Sequence, residues 1–325
     1  MEHRTTPYPL PAGDVLNEAF QFGLRRWGTV FRFVWAPVLL SVATVIGFGA
    51  LVVDWQALES AGDPAALYDF DAAHWRVSPL VAAVFGFAVY MVCVMLYAGF
   101  MASIYRLVAL GEERPGIFQV RADGPAVRVF WAMLIHGVLT AGVYGVALLA
   151  ALAMTGQSAG DVFATVGSLF LDAMRAQNEG AQLPPARFEA AADEFGAFFL
   201  SILFSIPPLA YLHTKLAPFA AGSAAENRIL LIGSFHMTRG RFWPILGALF
   251  LTGALLFVVW MISELAAGIF ELISTMFIGF GGAAAVVGGI LAVVAFGISL
   301  FFQIFSMGVQ LSIQAVIYRR LKTGA

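Results

Sequence analysis

The sequence predicts an all-α polytopic membrane protein. It has six transmembrane helices in three units, each an interfacial elbow helix followed by a transmembrane hairpin, with N- and C-termini cytoplasmic. Three observations carry this. The chain is 60% hydrophobic and only 12% charged, against roughly 25% charged in a soluble domain, and its mean hydropathy is +0.85. Runs of about 20 apolar residues recur, the length a hydrocarbon core demands. Those runs lack the strict alternation of a lipid-facing barrel, and lipid admits only helices or closed barrels.

The elements follow in order. Residues 1–13 are polar and proline-rich, without the apolar core and small-residue cleavage site of a signal peptide, so the first span is expected to remain in the membrane. Leu16, Phe20, Leu24 and Trp27 fall at helical spacing beside Arg25 and Arg26 and form a first elbow. Predicted spans are 29–53, 79–105, 126–154, 196–220, 243–264 and 284–314, within one integral membrane domain over 1–325. Pro79, Pro125 and Pro244 stand near first turns, where a missing N–H costs nothing. Pro37 and Pro207-Pro208 fall inside spans one and four and predict kinks. Residues 114–131 form a second basic elbow, ending in an Arg-Val-Phe-Trp belt. Ser223-Ala-Ala-Glu226 has capping-box spacing and predicts a short amphipathic helix running up to Gly240, the third elbow. Arg239 and Arg241 then sit at headgroup level, Phe242 and Trp243 form an aromatic belt, and Pro244 opens span five. Residues 54–78 form a short acidic outer loop. The outer loop 155–195 carries two helix-like patterns, one with Val162, Phe163, Val166, Leu169, Phe170 and Met174 on one face and one over 186–198; both predict helices lying on the outer surface as a lid. Residues 265–282 are nearly uncharged and read as interfacial, re-entrant or part of a span.

Orientation follows from the basic residues. A cytoplasmic N-terminus puts 15 of the 18 Lys and Arg inside, leaving only Arg76, Arg175 and Arg187 outside, while 13 of the 20 acids fall outside. The predicted location is a bacterial inner membrane.

The sequence lacks a Gly-x-Ser-x-Gly elbow, a Walker loop, a dinucleotide fingerprint and His-Glu-x-x-His. His3, His74, His136, His213 and His236 lie in five separate segments, so neither a metal nor a cofactor is predicted, nor a nucleic-acid partner. His213 and Lys215 read as snorkelling to the headgroups. His136 lies within span three, where an ionisable side chain is expected to face protein or water; a neutral imidazole hydrogen-bonded to a neighbouring helix is the expectation, and a place on a polar pathway the alternative. The lone Cys93 excludes an intrachain disulfide. Glu264 and Glu271 mark the outer end of span five, solvated there or forming a proton or ion site. Span six carries a stripe: Gly281, Ala285, Gly288, Ala292 and Ala295, then Ser299, Gln303, Ser306, Gln310 and Gln314. Its two readings are a packing seam with polar glue and the wall of a cytoplasm-open cavity that includes His136.

The pattern Ser234-Phe235, Thr238-Arg239-Gly240, Phe242-Trp243 followed by an apolar run resembles bacterial six-span proteins related to the membrane domain of glycerophosphodiester phosphodiesterases. Residues 16–40 resemble that group's first elbow and span. "AVRVFW" after "ERPGIFQVRADG" is similar to uncharacterised alphaproteobacterial members. The resemblance covers most of the chain, and its motifs mark where the chain meets the membrane. With no His/Glu/Asp metal constellation and an end at Ala325, the phosphodiesterase activity is not expected here.

The expectation is therefore a non-enzymatic membrane protein that binds phospholipid, a membrane protein partner or a second copy of itself. Its headgroup contacts would be Arg25, Arg26, Trp27, Arg128, Arg239, Arg241 and Trp243. The alternative is a transporter or permease for a small or amphipathic solute, with span six lining the path.

Overall fold

The computed structural model describes residues 10–54, 76–113, 120–178, 187, 192–280 and 282–323. Ten helices occur among them: α1 (Ala12–Arg25), α2 (Trp27–Val52), α3 (Pro79–Leu110), α4 (Gly124–Thr155), α5 (Ala159–Asn178), α6 (Ala192–Leu216), α7 (Phe219–Glu226), α8 (Leu231–Met237), α9 (Phe242–Gly279) and α10 (Gly282–Thr323). Six stretches are long and apolar enough to cross a membrane: Trp27–Val52, Leu80–Leu110, Gly124–Thr155, Phe195–Glu226, Phe242–Gly279 and Ala284–Thr323. The fold is an all-α polytopic membrane protein.

The last hairpin is longer than its predicted spans. α9 has 38 residues and α10 has 42, about 57 and 63 Å of helix at 1.5 Å per residue. Residues 265–279 continue α9, because no break signal precedes the turn at Phe280; Gly282, at the start of α10, adopts φ +57°. Near that turn the two helices press together. A Cβ on Gly288 would lie 2.6 Å from the Ile278 side chain and 2.7 Å from the Ser274 carbonyl, and Ser274 Oγ donates to the Gly288 carbonyl at 2.7 Å.

The chain divides into two compact units. The first holds residues 1–38, 95–133 and 214–325; the second holds 39–94 and 134–213. In the first, α1 is separated from α2 only by Arg26, whose N–H still bonds the Phe22 carbonyl at 2.9 Å. Val15, Ala19 and Gly23 are the buried residues of α1; the Ala19 carbonyl accepts from Ser312 Oγ of α10 at 3.2 Å, and a Cβ on Gly23 would meet Val309 of α10 at 2.7 Å. The expected Leu16–Phe20–Leu24–Trp27 face lies beside this one, and Leu24 and Trp27 stay 60% and 45% exposed. Small residues let two backbones approach, so they take the close contact, while Phe20 and Trp27 flank it edge-on against Phe305 and Phe301 at 5.6 and 5.5 Å.

The third elbow differs from the expectation. Ser223 and Glu226 close α7 rather than opening a helix, and Asn227 ends it in the left-handed region at φ 55°. Ser223 Oγ donates to Phe219 O at 2.7 Å and accepts from the Leu230 N–H at 3.1 Å, which starts α8. Capping-box spacing specifies which groups lie within reach and leaves open which end of a helix they serve. Residues 114–119 of the second elbow lie outside the described residues.

The second unit contains α5 and parts of α2, α3, α4 and α6. Gly156 (φ +73°) ends α4, and Ser158 caps α5, accepting the Asp161 N–H at 3.1 Å. Val162 packs with Leu152 and Ala197; Phe163 and Phe170 are each 63% exposed, so the apolar face expected of α5 is only partly buried. The second outer pattern does not form a separate surface helix over its described end: from Ala192 onward it is the first turn of α6, and residues 188–191 lie outside the described residues. α2 and α6 continue through their prolines.

A steric test uses one glycine from each unit. A Cβ on Gly99 would stand 2.2 Å from the Arg121 carbonyl oxygen, whereas Gly137 has open space around it. Gly99→Ala should destabilise the protein by about 1–3 kcal/mol, read as a lowered unfolding midpoint in detergent. Gly137→Ala should leave the midpoint unchanged or raise it, and equal behaviour of the two variants would contradict this packing.

Candidate functional site

Two cavities of the first unit and one side-chain pair of the second gather the polar residues that stand out in the sequence. The first cavity, of about 460 Å³, lies among α1, the end of α3 and the end of α10. Its charged lining is Glu18, Arg25, Arg26, Glu113 and Arg319, with an apolar wall of Phe22, Leu107, Val108 and Val316. Most of these charges are matched internally. Arg26 pairs with Glu113, and Glu18 pairs with Arg319 and, at 3.2 Å, with Arg320. Arg319 also donates to the Val108 carbonyl at 3.2 Å, one of the acceptors that the end of α3 leaves over. Arg25 has no hydrogen bond or ion pair among the described residues. The cavity therefore carries one unmatched cation beside apolar surface. The sequence pointed to Arg25 and Arg26; Glu18, Glu113 and Arg319 come from separate segments and were missed.

The remaining expected headgroup residues divide in the same way. Arg128 Nη1 donates to Asn227 Oδ1 at 3.1 Å. Arg239 and Arg241 have no such partner among the described residues. Trp27 packs edge-on against Phe301 at 5.5 Å, and Trp243, against Phe242 at 5.1 Å, is 76% exposed. The elbow motif around these arginines is held from below. Ser234 Oγ donates to the Lys215 carbonyl at 2.7 Å, Lys215 Nζ to the Thr238 carbonyl at 3.3 Å, and Thr238 Oγ1 to the Ser234 carbonyl at 2.9 Å. Gly240, at φ +75°, then turns the chain into α9. Lys215 is buried, which corrects its expected headgroup position: it serves a helix end.

The second cavity is a groove of about 450 Å³ on the α9–α10 hairpin. α9 contributes Gly253, Leu256, Phe257, Trp260, Ser263 and Glu264. α10 contributes Ser299, Phe302, Gln303, Ser306, Met307 and Gln310. The predicted stripe is thus used in three ways. Gly288 and Ala295 are buried, with Gly288 in the tight contact near the turn. Gln314 accepts a 2.6 Å hydrogen bond from Tyr105 OH in the first unit. Ser299, Gln303, Ser306 and Gln310 face the groove, and their side chains have no hydrogen-bond partner among the described residues.

His136 is not among the groove's lining residues. In the second unit its Nε2 lies 2.9 Å from His213 Nδ1, with ring centroids 4.8 Å apart. One ring nitrogen donates and the other accepts, so a single proton joins α4 to α6. His213 is therefore a helix–helix partner and not the snorkelling residue the sequence suggested. Among the described residues no cluster of three or more His, Cys, Asp or Glu side chains is placed to hold a metal.

No family model, curated protein or solved structure matches this chain.

The histidine pair is open to a double-mutant cycle. His136→Phe and His213→Phe should each cost about 0.5–2 kcal/mol, with a coupling of roughly 0.5–1.5 kcal/mol, measured by equilibrium unfolding in mixed micelles. Additive costs would mean the two rings do not share a bond.

Proposed function

We propose that this is a non-enzymatic bacterial inner-membrane protein, both termini cytoplasmic, that holds a phospholipid headgroup in the pocket among α1, α3 and α10. The observation that carries it is the charge inventory of that pocket: Arg26 and Arg319 are matched by Glu113 and Glu18, and Arg25 is left over. A phosphodiester supplies a negative charge for Arg25, and the wall of Phe22, Leu107, Val108 and Val316 suits the start of an acyl chain. Unpaired Arg239 and Arg241 add attraction to an anionic leaflet, on the order of 1 kcal/mol each, and Trp27 and Trp243 are the residue type favoured at that depth. We also propose kinship with the six-span relatives of the phosphodiesterase membrane domain, on the strength of the Ser234–Trp243 elbow.

Native mass spectrometry of the purified protein with phosphatidylglycerol and phosphatidylcholine tests the pocket. Arg25→Gln should lower retained phosphatidylglycerol roughly fivefold, the equivalent of about 1 kcal/mol, with little change for phosphatidylcholine. Unchanged retention would remove this pocket from consideration.

Passage of a small or amphipathic solute is the second reading, favoured by the four unpartnered polar side chains on α10. In a Cys93→Ala background, cysteine at Gln310 should react with a membrane-impermeant thiol reagent on inside-out vesicles if water reaches the groove. Cysteine at Arg320 serves as the orientation control. Labelling at Arg320 alone would favour the lipid-holding role over passage of a solute, and no labelling at Arg320 would reverse the proposed orientation.

A further inference from the structure

We infer that the groove on the α9–α10 hairpin binds a lipophilic organic cation, an apolar body carrying an ammonium-type charge. Glu264 is the sole charged residue lining the groove, and it has no hydrogen bond or ion pair among the described residues. It lies about 32 Å along α9 from Trp243 at 1.5 Å per residue, roughly one hydrocarbon thickness. A carboxylate at the edge of the apolar layer, with no basic residue in the groove's lining, is an attractive point for a positive charge carried on an apolar body. Phe257 and Trp260 stand beside it with ring centroids 5.8 Å apart. Both are more than half exposed, so they present open aromatic faces, which attract cations. Ser299, Gln303, Ser306 and Gln310 add uncharged oxygen acceptors that the protein leaves unused.

The remaining lining decides between ligand classes. No Lys or Arg lines the groove, so a phosphate or carboxylate ligand would meet Glu264 with nothing to offset it. A hard metal ion wants about six oxygen ligands, while Leu256, Phe302 and Met307 make much of this wall carbon and sulfur. A volume of about 450 Å³ lies in the range for small-molecule sites. The inference does not depend on the headgroup pocket.

Tetraphenylphosphonium and its anionic counterpart tetraphenylborate test it, with the full-length protein in nanodiscs of neutral lipid. Tetraphenylphosphonium should bind saturably and quench tryptophan fluorescence; tetraphenylborate should not. Glu264→Gln should weaken phosphonium binding at least tenfold with the unfolding midpoint unchanged. Glu271→Gln, about two turns beyond Glu264 and outside the groove's lining, should bind as the parent protein does. Equal binding of both probes, or phosphonium binding that survives Glu264→Gln, would overturn the inference. Should Glu264→Gln not fold, Trp260→Leu supplies the same test: undiminished phosphonium binding there counts against the groove. Failure here would leave the Arg25 result standing, since the two sites share no lining residue.

Discussion

A backbone that crosses hydrocarbon finds no water for its N–H and C=O groups, so each must be met by protein. Inside a helix the ladder of bonds suffices, and the difficulty gathers at helix ends, where amides and carbonyls are left over. This chain meets it with side chains drawn from other elements. Arg319 reaches the Val108 carbonyl at the end of α3, Arg106 reaches the Ala224 carbonyl in α7, and Lys215 reaches the Thr238 carbonyl after α8. In the second unit Arg76 does the same for α2, bonding the Val52 carbonyl with its N–H and the Ala50 carbonyl with its guanidinium. Long basic side chains suit the task because their stems lie along apolar surface while their heads donate.

The same demand sorts the charges. Near the ends of α7 and α10, Glu226 accepts from Tyr318, Arg228 and Lys322, and beside α1 Glu18 is shared by two arginines. Once these networks and the helix ends are served, few ionised groups remain unmatched among the described residues. Arg25, Arg239 and Arg241 are left around the elbows, Asp14 on α1, and Glu264 and Glu271 on α9. A leftover charge of each sign, each beside an apolar wall, is what separates the two cavities chemically.

α10 concentrates three roles on one helix. Its glycine end packs against α9 closely enough to exclude any Cβ at Gly288. Its other end receives α1 on Val309 and Ser312, and there Gln314 accepts from Tyr105 OH. Only the stretch between, from Ser299 to Gln310, is free to face a groove. Polar residues satisfied by a neighbouring helix act as glue, and polar residues left unsatisfied mark a surface that water or a ligand must complete.

Much of this was legible in the residues themselves. Six apolar runs, the elbow at Arg239–Trp243 and the polar stripe of α10 depend on composition and period, which are local and which lipid enforces without regard to neighbours. Helix length was less legible: α9 runs on past Glu264 because a single carboxylate does not end a helix. The partners of side chains were not legible at all. Whether Ser223 opens or closes a helix, whether His213 seeks a headgroup or His136, and which arginine is left without an acid depend on residues far away in the chain. The order of apolar and charged residues along the chain thus determines that it crosses a membrane as helices, because that requirement is met one segment at a time. Only the tertiary structure decides which polar groups are consumed by the fold and which remain for a ligand, because each polar atom is satisfied by whatever distant segment packs beside it.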